Sequence, residues 1–321
     1  MRPRFALLIS LVLATVALTF AGTHLVLPLS PPAVHAPLPP RPASYLGVYE
    51  TGSPPDYRPI ASFAKAAGSQ PNLVGYYSGW AQPFAPSFAE TIRGHGVIPF
   101  VQIDPTYASV PAIVTGAYDD DYLRSYADSV RNFGHAVVIG FGHEMNARWY
   151  SWGYGHVPAP TFVAAWRHIV TLFRAEGAYN VTWLWTINAD RPGRTGPVAS
   201  WWPGARYVTW VGIDGYYYRP SDTFNRVFGR TINQVRVFAP HKPVLLSETA
   251  VGPAAGQFAK INNLFAGMRS YNTLGLVWFD KNQHGGHGGH GGMLQDWRIE
   301  DNPGAKAAFQ LGVATLKLAR P

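Results

Sequence analysis

AVVIGFG (136–142), TFVAAWRHIVTLFRAEGA (161–178) and VTWLWTIN (181–188) follow one another closely in the chain. The outer two are short, nearly continuous apolar runs rich in β-branched and aromatic residues, as strands buried on both faces are. The middle one opens on a Thr cap, places Phe162, Trp166, Ile169 and Phe173 at helical spacing, and stops at Gly177. Together they predict a strand–helix–strand unit. The same alternation extends both ways. Further strands are expected at Tyr45–Glu50, Leu73–Trp80, Val97–Asp104, Tyr207–Tyr216, Val244–Glu248 and Leu274–Asp280, with helices at Tyr118–Phe133 and Thr223–Phe238. The eight runs begin about 33 residues apart on average, enough for the ~30 or more that a βα unit needs. A single α/β domain, a closed (β/α)8 TIM barrel over residues 44–321, accounts for this pattern. A doubly wound open sheet would call for a Gly-rich phosphate turn after the first strand, and Tyr45–Pro54 has no GxGxxG.

In such a barrel the chemistry gathers at the carboxyl ends of the strands. Those ends carry Trp80, Asp104, His143-Glu144, Asn188, Asp214 with Tyr216, Glu248, and Trp278 with Asp280. Glu144 and Glu248 each follow an apolar run directly, where an ionised carboxylate is costly unless it is used. Only 18 Asp and Glu occur in the chain, so two in matching positions are notable. Helix-capping or salt-bridged acids at the rim are the plainer alternative. Two carboxylates facing each other can hydrolyse a glycosidic bond, one protonating the leaving oxygen while the other attacks the anomeric carbon.

HEMNARWYSWG (143–153), VGIDGYYY (211–218), LSETA (246–250) and LVWFDKNQ (276–283) resemble glycoside hydrolase family 26, a β-mannanase-type family with catalytic acids on strands four and seven. The resemblance implies Glu144 as general acid/base and Glu248 as nucleophile of a retaining enzyme. It further implies His143 orienting the acid or touching the sugar, Tyr216 hydrogen-bonding the nucleophile, Asp214 supporting both, and Trp149 and Trp278 stacking on sugars beside the bond. Asn146, with His143 and Tyr216, is a candidate for reading the 2-hydroxyl. The substrate implied is a β-1,4-mannan-type polysaccharide cut internally. The alternatives are a β-1,3-1,4-glucanase of the same fold and a carbohydrate-binding barrel without catalysis. Two departures stand out. Ala147 replaces a usual Gly, and the third strand ends Val101-Gln102-Ile103-Asp104-Pro105, without the His that mannanases of the family often hold against the sugar.

The amino terminus reads separately. Arg2 and Arg4 precede an uncharged run from Phe5 to Leu29, the export pattern of a signal peptide or membrane anchor over 1–27. Residues 28–43, with seven prolines between 28 and 42, are expected to act as a semi-rigid linker. The barrel is therefore expected outside the cytoplasm, secreted or anchored, with membrane contact only through that segment.

Composition excludes other classes. At 321 residues, 47% hydrophobic and 14% charged, the chain is no disordered polypeptide. The absence of Cys removes disulfides, thiolate metal sites and a cysteine nucleophile. The net charge of +8 is scattered, so no nucleic-acid partner is expected, whereas 11 Trp and 17 Tyr suit sugar rings. His143-Glu144 does not begin an HExxH zinc motif, because position 147 is Ala. No cofactor or metal is expected. His284, His287 and His290 in a Gly-rich run after strand eight are the one weak metal candidate, more in keeping with a low-complexity loop. A monomer is expected.

Overall fold

The computed structural model describes residues 38–252, 256–283 and 295–319. Eight parallel strands close a barrel in sequence order: β1 (Tyr45–Glu50), β2 (Leu73–Gly79), β3 (Ile98–Asp104), β4 (Val137–Phe141), β5 (Val181–Asn188), β6 (Trp210–Tyr217), β7 (Val244–Val251) and β8 (Gly275–Asp280). Closure is a full register of β1 on β8, from Tyr45 opposite Gly275 to Glu50 opposite Asp280. All eight expected strands are present, within a few residues at their ends. The export segment 1–27, most of the linker and His284, His287 and His290 lie outside the described residues.

The outer layer comprises α1 (Arg58–Ala67), α2 (Pro86–Gly94), the short α3 (Val110–Val114), α4 (Arg124–Phe133), α5 (Ala159–Ala175), α6 (Arg230–Phe238), α7 (Gln257–Ser270) and α8 (Pro303–Val313). The expected helices at 118–133 and 223–238 each open with one wide turn, at Asp119–Leu123 and Asn225–Gly229, before α4 and α6. Between β5 and β6 there are only two short 3-10 turns. Pro192, Pro197 and Pro203 in that connection cannot donate the backbone hydrogen bonds of an α-helix interior.

Alternation along each strand sorts side chains into two cores. Tyr45, Leu73, Phe100, Val138, Leu184, Trp210, Leu245 and Val277 fill the barrel interior, while residues of opposite parity such as Val48, Ile139, Trp185 and Trp278 pack against the helices. Leu38, from the end of the proline-rich stretch, joins the interior cluster, so the folded unit starts a few residues before 44. Above this floor the interior turns polar. Gln102 donates to Thr186 at 2.8 Å, and a Cβ on Gly140 would lie 1.9 Å from the Gln102 Oε1. Glycine at 140 is therefore what lets Gln102 cross beneath the site.

Candidate active site

The carboxyl ends of the strands open into a cavity of about 1000 Å³ whose lining includes Glu144 and Glu248. Glu144 lies just past β4, where the chain turns over: Gly142 has φ 54° and Glu144 itself φ 53°. A non-glycine residue in this left-handed region is held there by its surroundings, and such residues cluster at functional sites. The holding contacts are present. Glu144 N donates to Thr186 O at 3.0 Å, and Ala147 N donates to Glu144 O at 2.8 Å. On the side chain, Trp149 Nε1 donates to one carboxyl oxygen at 2.5 Å and Asn188 Nδ2 donates to the other.

Glu248 reaches the cavity by another route. Strict alternation along β7 would send it outward with Leu246, which packs in the outer core. The register of β7 slips against both neighbours, Gly212 facing Leu245 while Asp214 faces Glu248, and Leu246 facing Leu276 while Thr249 faces Trp278. This β-bulge adds one residue and re-aims Glu248 into the barrel mouth. There its carboxylate accepts hydrogen bonds from the hydroxyls of Tyr77 and Tyr216, one on each oxygen. Burial first, then the charge of Glu248, pushes both phenols well above their ordinary range, so they remain donors.

Burial and then the negative charge of Glu248 raise the Glu144 carboxyl above the usual carboxylate range, opposed by His143, Asn188 and Trp149. Burial followed by the charges of Glu248 and Glu144 pushes Asp214, beneath them, well above that range. His143 is clamped between Asp104 Oδ1, 2.7 Å from Nδ1, and the Tyr150 hydroxyl, 3.0 Å from Nε2. Burial pulls this imidazole down, but the charge and hydrogen bond of Asp104, with Glu144 and Asp214 beyond, outweigh it and push it up to about 10.

Glu144, Glu248, His143, Trp149 and Tyr216 thus converge on one cavity. Two expected sugar contacts, Trp278 and Asn146, do not reach it. Trp278 is fully buried on the outer face of β8, with its Nε1 donating to Trp297 O at 2.9 Å and its ring against Phe309. Val277 and Phe279 hold the inward parity, and it is Phe279, stacked on Tyr49, that lines the cavity. Asn146 is fully buried and exchanges two hydrogen bonds with the Asn188 backbone, at 2.9 and 2.8 Å, so its amide ties the loop after β4 to β5. Asp214 accepts from Ser247 Oγ at 2.6 Å and underlies the site without lining it. Tyr77, Asn188 and Asp104 are functional neighbours that the strand-by-strand reading did not assign. The inward parity of Tyr77, two residues after Gly75 on β2, is the signal that could have found it.

A further group of carboxyls, Glu50, Asp280 and Glu300, brings one oxygen each within 4.8 Å of the others, the one such cluster among the described residues that could hold a metal. Glu50 and Asp280 lie on the outward parity of β1 and β8, outside the cavity lining. Burial pushes Asp280 up to about 10 and Glu50 up to about 8, so near neutrality these groups hold protons.

Comparison with known proteins matches residues 117–286 to Glycosyl hydrolase family 26. The chain belongs to that family. This family 26 chain is 29% identical over 275 residues to Endoglucanase H of Acetivibrio thermocellus, covering 81% of the chain and 29% of the relative. It is also 29% identical over 176 residues to Mannan endo-1,4-beta-mannosidase A and B of Caldalkalibacillus mannanilyticus, covering 50% of the chain and 31% of the relative. It therefore spans less than a third of the length of either. Among solved structures, the catalytic domain of the Bacillus sp. JAMB-750 GH26 endo-beta-1,4-mannanase superposes with a TM-score of 0.63 at 14% identity, over 86% of this chain and 87% of that one. That likeness concerns the fold.

Proposed function

We propose that this barrel is a retaining, endo-acting β-glycanase in which Glu248 is the nucleophile and Glu144 the acid/base. What carries the reading is the contrast between the two carboxyls. Glu248 accepts from the hydroxyls of Tyr77 and Tyr216, which hold it facing the cavity, whereas Glu144 is buried and raised, which suits a proton donor. In the first step Glu248 forms an ester bond to the anomeric carbon as the glycosidic C–O bond breaks and the Glu144 proton passes to the leaving oxygen. The charge that raised Glu144 is then consumed in the ester, so Glu144 becomes the base. It takes a proton from water, which attacks the anomeric carbon and releases Glu248 as a carboxylate.

For the substrate, a β-1,4-linked chain containing glucose, such as mixed-linkage β-1,3-1,4-glucan, is favoured by the fuller match to an endoglucanase. β-1,4-Mannan is the second reading, favoured by the mannosidase relative and the family resemblance. Purified protein incubated with barley-type β-glucan and with galactomannan decides between them by the oligosaccharides released. Proton NMR of the first product tests the mechanism, and an inverted anomer overturns it. Glu248→Ala should abolish the first step on every substrate. Glu144→Ala should spare release of an activated aryl leaving group, which needs no proton. The enzyme acts outside the cytoplasmic membrane on this reading, supported by Arg2, Arg4 and the uncharged run behind them. Recovery of intact protein from a cytosolic fraction, free of membrane, would overturn that placement.

A further inference from the structure

Tyr107 combines two unfavourable features. It is fully exposed, at 106% of the reference area, and its backbone has φ 65°. The turn Pro105–Ala108, closed by Ala108 N donating to Pro105 O at 3.2 Å, places Tyr107 third, where a positive φ normally selects Gly or Asn. A single exposed aromatic is ordinary, and so is an occasional residue of positive φ. What separates Tyr107 is its place. Among the described residues six large hydrophobic side chains are exposed, and Tyr107 alone of these lines the cavity that holds Glu144 and Glu248.

The loop beneath the ring is fixed on both sides. Thr106 Oγ1 accepts from Trp80 N at 3.2 Å, Ser109 N donates to the Tyr118 hydroxyl at 3.2 Å, and the Ser109 side chain caps α3. The ring itself stands fully exposed above this turn, with its faces open to water. A pyranose presents a flat C–H face, and burying it on an aromatic ring removes apolar area from water on both partners.

We propose that Tyr107 is a stacking platform for a sugar unit of the polysaccharide away from the scissile bond, extending the groove over the turn after β3. This rests on the β-glycanase reading and adds to it a chain-binding contact outside the reacting centre. The ring would favour long chains over short ones and tolerate either hexose backbone, because stacking reads a face and not one hydroxyl.

The test compares full-length wild type with Tyr107→Gly, Tyr107→Asn and Tyr107→Phe. Gly and Asn accept the positive φ, so both should fold with an unchanged or raised Tm. Two readouts are taken: the ratio of kcat/KM on barley β-glucan or galactomannan, whichever is cleaved, to kcat/KM on a short aryl glycoside, and retardation in native gels containing the same polysaccharide. We expect the ratio to fall roughly tenfold in the Gly and Asn variants, as burial of one sugar face implies, with retardation weakened. The Phe variant should stay within about twofold of wild type. A wild-type ratio in both Gly and Asn variants, with wild-type cleavage intact, overturns the platform alone. If wild type neither cleaves nor is retarded by either polysaccharide, the β-glycanase reading falls and takes the platform with it.

Discussion

Replacing Asp104 by Asn leaves an oxygen that can still accept from His143 Nδ1 but takes away the charge that keeps the imidazole protonated. The pair is deeply buried, with side-chain exposures of 4% for His143 and 9% for Asp104. His143 is raised from 6.5 to about 10 in the folded state, with Asp104 the largest raising influence. A group raised on folding contributes stability that is fully present below its unfolded value and lost as pH passes its folded value. At 1.36 kcal/mol per unit, that rise corresponds to a ceiling of about 5 kcal/mol at pH 5, about 3 at pH 8, and under about 1 at pH 10. Breaking a buried pair from one side costs ~3–5 kcal/mol in general, the same order. Asp104→Asn should therefore be most destabilising in acid and approach wild type toward pH 10. Urea denaturation of both proteins across pH 5 to 10, with a common m-value, measures this directly. An equal loss of stability at every pH, or one that grows with pH, would refute the imidazolium assignment. In active protein the same substitution removes the cation beside Glu144, so the alkaline limb of kcat/KM should move to higher pH.

Two further outcomes follow from the geometry. Trp278→Phe should cost about 1–3 kcal/mol through the lost bond to Trp297 O and looser packing on Phe309, with the KM for polysaccharide unchanged; a tenfold higher KM at intact stability would return Trp278 to the groove. Asp280, raised to about 10 beside Glu50 at about 8, makes the folded chain hold more protons than the unfolded one between pH 4 and 8, so that this cluster weakens stability as pH rises. Asp280→Asn keeps an acceptor for Ile299 N and should flatten that fall in paired urea titrations at pH 5 and pH 8, while an equally steep fall would show that the cluster does not bind those protons.

The barrel was legible in the chain alone, because eight doubly buried strands at a regular spacing leave few closed solutions and the runs around 136–188 state the unit plainly. So was the place of Glu144 and Glu248 at strand ends, since an acid directly after an apolar run is visible without coordinates. Tertiary structure decided which way side chains point and who meets whom. Side-chain parity has period two, so one slipped residue exchanges inside for outside. Trp278 belongs to the outer core because Val277 holds the inner register. Glu248 enters the cavity only because β7 carries a bulge, which no local pattern in PVLLSETA announces. The tyrosines on Glu248 come from β2 and β6, and the partner of His143 comes from β3. Such contacts are set by closure of the barrel, which brings together strand ends far apart in the chain, and a linear reading has no measure of that distance.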